Sequence, residues 1–193
     1  DFLYRTDKAL WRELPGVDFQ AQFFHGGFLF KPRVEMHVVE EHPARELPFS
    51  TSLFDYSPNP TPALDDTIGF AGFRLHAPLN SRDYFDELCV FLGGSYFRAV
   101  GKGLAYGLSA RGLALGSGDP GPEEFPVFRA FWLHRPEAGS KTVVVDALLD
   151  GPSVSGAYRF RIQPGEDTVF EVDARLFPRV DLAHVGIAPL TSM

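Results

Sequence analysis

The chain has 193 residues, 45% of them hydrophobic and 14% aromatic, enough apolar material to bury a core without a metal or disulfide staple. Its formal net charge of -7 leaves no basic excess to displace counterions from a phosphate backbone, which argues against nucleic acid as a partner. The single cysteine, Cys89, excludes an intrachain disulfide and a cysteine-built zinc site, and no apolar run is long enough to cross a bilayer as a helix.

Taken in chain order, the pattern is one of short strands. Asp7 is placed to cap a short turn through Leu10 and Trp11. Val34, Met36 and Val38 alternate with Glu35 and His37, and Ser57-Pro58-Asn59-Pro60-Thr61-Pro62 is the strongest loop signal. Asn80 or Ser81 is placed to start a helical turn over Arg82 to Glu87, and Cys89 sits in an apolar setting that predicts a buried thiol. From Leu104 to Leu115 alternation sets Tyr106 and Leu108 on one face and Ser109 and Arg111 on the other. Phe125, Val127, Phe131 and Leu133 share a face with Arg129, against Phe128, Ala130 and Trp132, which predicts a strand covered on both sides.

The clearest pair is SGAYRFRIQ followed by TVFEVDARLF. Matching Tyr158, Phe160 and Ile162 to the apolar positions of the second run leaves Gly165-Glu166-Asp167 as a three-residue loop. The same register sets Arg161 against Glu171 and Arg159 against Asp173. With 19 glycines and 16 prolines as punctuation, the expected fold is all-β, an antiparallel β-sandwich or barrel with few short helices.

Three familiar signatures fail in the stretch FLGGSYFRAVGKGLAYGLSARGLAL. A phosphate loop would need glycine at Tyr96, a dinucleotide fingerprint glycine at Tyr106, and a nucleophile elbow around Ser109 glycine at Arg111. The six histidines, His25, His37, His42, His76, His134 and His184, show no local ligand spacing, so no metal and no cofactor are expected. What remains is aromatics, arginines and carboxylates on a β scaffold. That set suits carbohydrate, because sugar rings stack C–H faces on aromatic planes while their hydroxyls bond to charged groups. Tyr96, Tyr106 and Tyr158 stand out, because a phenol hydroxyl needs a polar partner.

The runs GFAGFRLHAPLN, FLGGSYFRAVGKGLAYGLSARGLAL, EEFPVFRAFWLHRP, LLDGPSVSGAYRFRI and GIAPLTSM, with YRTDKALW and FFHGGFLF, closely resemble the periplasmic glucan biosynthesis proteins G and D of Gram-negative bacteria. The resemblance implies a periplasmic protein acting on osmoregulated glucans with a β-1,2-linked glucose backbone. It also implies a galactose mutarotase-like sandwich followed by an immunoglobulin-like domain. Residues 1–193 then correspond to part of the first domain, without the leading strands, signal peptide or second domain.

The family is also similar to inverting β-1,2-glucanases, which need one carboxylic acid and one carboxylate base. On the resemblance, the acid lies beyond GIAPLTSM and the base is Asp150 on the LLD-x-P motif, although Gly151 stands where serine is expected. The bland reading of Asp150 is a turn-forming aspartate. Tyr96, Arg98, Lys102, Tyr106, Arg111 and Tyr158 are candidates for a glucan groove. The rival for Arg98 and Arg111 is structural pairing with Glu123, Glu124 or Asp146. The expected roles are glucan binding and trimming by the full-length protein or, alternatively, a noncatalytic glucan scaffold; a mutarotase-like activity is a weaker third. The sequence fixes no oligomeric state.

Overall fold

Strict alternation of apolar and polar side chains lets a strand bury one face and solvate the other, and the fold is two such sheets pressed together. The computed structural model describes residues 3–27, 32–40, 43–57 and 65–191. His42 and the proline loop at 58–62 lie outside these.

Among the described residues the strands are β1 (Leu3–Tyr4), β2 (Gln20–His25), β3 (Glu35–Val39), β4 (Arg45–Glu46), β5 (Phe54–Asp55), β6 (Phe70–Ala77), β7 (Asp86–Leu92) and β8 (Tyr96–Ala99). They continue with β9 (Ser109–Arg111), β10 (Leu113–Leu115), β11 (Val127–His134), β12 (Val143–Asp150), β13 (Val154–Gln163), β14 (Val169–Pro178), β15 (Val185–Ile187) and β16 (Leu190–Thr191). The first sheet runs β16-β9-β8-β7-β6-β2 and the second β14-β13-β12-β11-β3-β4, with two small ribbons, β1-β5 and β10-β15. The protein is an all-β sandwich. Its helical content among the described residues is three short 3₁₀ turns, and none is long and apolar enough to cross a membrane.

The core lies between the sheets and is aromatic. Phe91 of β7 stacks on Phe73 at 5.1 Å and meets Phe131 and Phe160 of the opposite sheet edge-on at 5.7 and 5.0 Å. Such offset and edge contacts add about 0.5–1.5 kcal/mol per pair beyond area burial. Cys89 is buried on the same side, and desolvation pushes its thiol pKa up, so it is an inert core residue.

The hairpin β13–β14 has the register read from its sequence: Ile162 faces Phe170, Phe160 faces Val172, and Arg161 faces Glu171. Arg161 keeps an ion pair with its direct partner Glu171 at 3.9 Å, and the shorter contacts are made elsewhere. Arg161 reaches diagonally to Asp173 at 2.7 Å, and Arg159 turns the other way to Asp146, with two bonds of 2.6 and 2.7 Å.

As expected the strands pair antiparallel, with one exception among the described residues: β3 and β11 run parallel. Three expectations are corrected. In β11 a bulge between Phe128 and Ala130 leaves Arg129 outside the ladder and brings Phe128 onto the core side with Phe131 and Leu133. Residues 82–85 are not helical, because Ser81 Oγ accepts the Asp83 N–H and the Asp86 carboxylate accepts the Asn80 N–H, closing a bend between β6 and β7. Asp7 lies inside the turn Thr6–Lys8 and bonds to Arg5 rather than capping it.

Candidate functional site

One row of aligned residues in the first sheet fixes which way its neighbours point. Phe23, Phe73, Phe91, Phe97 and Ala110 lie side by side across β2, β6, β7, β8 and β9, and the phenylalanines face the core. The adjacent rows therefore point outward: Gln22, Arg74, Val90, Arg98 and Ser109 in one, and Phe24, Gly72, Leu92, Tyr96 and Arg111 in the other. Val90, Leu92 and Tyr96 form a small apolar floor against Phe24 on this outer face.

Around that floor stand three arginines, each laid on an aromatic ring. Arg74 lies 5.7 Å from the Phe24 ring centre, Arg98 4.5 Å from Tyr106 and Arg111 4.7 Å from Phe125. Each is also held in the plane of the face: Arg74 by Gln22 Oε1 at 2.8 Å, Arg98 by Glu87 at 2.5 Å, and Arg111 by the Gly94 carbonyl at 2.5 Å. Tyr96 and Ser109 share a hydrogen bond of 2.8 Å beneath them. Tyr106 is 58% exposed, an aromatic plane open to solvent. Beside Arg74 the face falls into an open depression of about 700 Å³ lined by Gln20, Gln22, His76 and Phe85.

Of the residues read from the sequence, Tyr96, Arg98, Tyr106 and Arg111 come together here. The partners proposed for the two arginines are replaced, because Glu124 accepts from Ser153 and Asp146 from His134 and Arg159. The continuous strand from Leu104 to Leu115 is also replaced. Residues 104–108 are irregular, and Gly112, with the Phe128 ring 3.0 Å from where its Cβ would stand, separates β9 from β10, which joins β15.

The other candidates are elsewhere. Lys102 bonds to Glu166 at 3.0 Å beside a smaller depression of about 240 Å³ bordered by Asp18 and Lys141. Tyr158 is core: its hydroxyl donates to the Gly112 carbonyl at 3.1 Å, and burial pushes its pKa up to about 12. Asp150 alternates with buried Leu149 and so faces the outer side of the second sheet, where it accepts from Arg179 at 2.8 Å. Gly151 follows it because a Cβ there would stand 2.8 Å from the Glu124 carboxylate and 3.0 Å from Pro126.

Gln22, Phe24, Arg74, His76, Glu87 and Phe125 were not singled out in the sequence. Alternation along Phe70 to Ala77 was the available signal, since Arg74 and His76 interleave with Phe73 and Leu75. His76 has its pKa lowered by burial and by the Arg74 charge, with Glu87 and Asp86 opposing. The unfolded chain therefore binds a proton more readily, so stability is lost as pH falls through the ordinary histidine range. Replacing His76 with asparagine should flatten the loss of stability between about pH 7 and pH 5.5, measured by urea denaturation at each pH. An unchanged slope would reject the assignment.

Comparison with known proteins gives the same family along the whole chain. The family described as "Periplasmic glucan biosynthesis protein, MdoG" matches residues 1–193. Proteins named "Glucans biosynthesis protein G" are 53% identical over 190 residues in Rhodopseudomonas palustris and 52% identical over 196 residues in Vibrio cholerae. One named "Glucans biosynthesis protein G 1" is 53% identical over 194 residues in Shewanella oneidensis. These alignments cover 98%, 100% and 100% of the chain but only 38%, 35% and 36% of the relatives, so the chain spans little more than a third of their length. The chain is therefore a member of the periplasmic glucan biosynthesis protein family MdoG.

Proposed function

We propose that the outer face of the first sheet is a glucan-binding surface, and that the chain serves periplasmic glucan biosynthesis by holding a β-1,2-linked glucan there. The supporting observation is the set of three guanidinium–aromatic pairs around an apolar floor, at Arg74, Arg98 and Arg111. An exposed ring such as Tyr106 offers a plane for sugar C–H groups, and guanidiniums already fixed in position donate to hydroxyls with little further loss of side-chain freedom. The family name supports the periplasmic location and the glucan partner.

Asp150 stands on the other outer face, engaged by Arg179, so the role proposed for the first sheet's surface is binding. The hydrolytic reading, inversion by the full-length protein with Asp150 as base, rests on the family resemblance.

The test is titration of the chain with a linear β-1,2-gluco-oligosaccharide, followed by calorimetry and by amide resonances. Tyr106→Ala should weaken binding about tenfold, the scale of a lost aromatic plane, while Asp150→Asn should leave affinity unchanged. Absence of any perturbation at Tyr96, Tyr106 or Arg111 would remove the proposal.

A further inference from the structure

Strand β7 departs from its own alternation at one place, and the departure has a chemical result. Leu75 pairs with Cys89, but His76 pairs with Glu87, so Leu88 is an extra residue at a bulge. Leu88 and Cys89 are both fully buried. Without the bulge, the parity set by Phe91 and Cys89 would send Leu88 outward and Glu87 into the core. With it, Glu87 emerges on the outer face, where its side chain is 28% exposed. Bulges give up ladder hydrogen bonds and commonly re-aim a side chain beside a functional site.

The re-aimed carboxylate is set between two of the three arginines, at 2.5 Å from Arg98 and 3.4 Å from Arg74. A carboxylate accepts about four hydrogen bonds, so these two leave capacity over. On either side of it stands a buried nitrogen without a hydrogen-bond partner, His76 Nε2 and Arg98 Nε. His76 Nδ1 faces the Phe85 carbonyl at 3.4 Å, which makes Nδ1 the protonated nitrogen and leaves Nε2 an acceptor. Arg98 Nε is a donor, covered on the side where the guanidinium meets the Tyr106 ring. Unpaired buried polar atoms are unfavourable until something pairs them.

The geometry points to a sugar subsite centred on Glu87, selective for the neutral hydroxyl pair of one pyranose ring over a ring bearing a carboxylate. A hydroxyl both donates and accepts, so adjacent hydroxyls bond to Glu87 while accepting from Arg74, and local shifts of the side chains that cover the two buried nitrogens, with Tyr106 kept on Arg98, let them reach His76 Nε2 and Arg98 Nε. A carboxylate substituent has no proton to give at neutral pH and meets Glu87 as a like charge. Arginines alone would favour anions, and Glu87 reverses that preference locally. The inference rests on the glucan-surface reading and adds where a ring sits and what it excludes.

The experiment uses the whole chain and the same β-1,2-gluco-oligosaccharide, with the ¹⁵N resonances of the His76 ring and of Arg98 Nε followed during titration. Both should shift on saturation. Glu87→Gln should cut affinity about tenfold, the scale for a hydrogen bond to a charged group. An oligosaccharide ending in glucuronate should bind the wild type about tenfold more weakly than the neutral one, and Glu87→Gln should narrow that gap. If the neutral oligosaccharide binds and moves Tyr106 and Arg111 while the two nitrogens stay still, the subsite is wrong and the surface stands. If it does not bind the wild type at all, both fall. Should Glu87→Gln not fold, the wild-type resonances and the glucuronate comparison still decide.

Discussion

Phe91→Ala should lower the stability of the sandwich by about 4 kcal/mol, the upper range for deleting a buried aromatic ring. Phe91 is fully buried and joins the two sheets: Phe73 and Phe97 lie beside it in its own sheet, and Phe131, Phe160 and Phe170 meet it from the other. The surroundings cannot collapse onto a smaller side chain, because five rings on two sheets would have to move toward it together. Domains of this size hold only about 5–15 kcal/mol in total, so the loss is a large fraction of that margin. A fall in thermal midpoint of about 10 °C follows from the usual entropy scale. The check is urea denaturation with an unchanged slope, and a loss below about 1 kcal/mol would show that Phe91 does not tie the sheets.

Gly107→Ala should disable the proposed glucan surface through the backbone. A Cβ at Gly107 would overlap the Ala99 carbonyl and press on the Val100 nitrogen, so the residue after Tyr106 can only be glycine while the loop lies where it does. The clash sits beside β8, which carries Tyr96 and Arg98. Either the loop lifts, taking Tyr106 off Arg98, or β8 shifts and weakens its pairing with β9. We expect a stability loss of about 1–3 kcal/mol, as for other overpacked sites, together with a loss of oligosaccharide affinity at least as large as that of Tyr106→Ala. Wild-type affinity in this variant would mean that the 100–108 loop has no part in binding.

How much of this was legible in the sequence depended on how regular the backbone is. The β13–β14 hairpin could be registered to the residue because both strands alternate without interruption and the loop is short. Where an extra residue enters a strand, alternation misleads: the bulge at Arg129 moves Phe128 to the core side, and the bulge at Leu88 moves Glu87 to the surface. The parallel pairing of β3 with β11 has no local signature, since the two strands are about ninety residues apart and joined through the other sheet. At the candidate site, Tyr96, Arg98, Tyr106 and Arg111 could be grouped because they share one stretch of chain. Arg74 and Glu87 come from other strands and join them only through sheet order. Tyr158 has a polar hydroxyl and a buried ring, and residue type alone does not distinguish a groove wall from a core tyrosine whose hydroxyl meets a backbone carbonyl.

The second sheet ends, among the described residues, on β14, which is paired along its whole length to β13 and has no neighbour on its far side. Every other residue of that strand therefore turns its N–H and C=O away from β13, in a row that stops at Pro178, where the donor is missing. The sandwich is accordingly closed in thickness yet open in width: one more extended segment laid along this rim would widen the sheet without disturbing a ring of the interior.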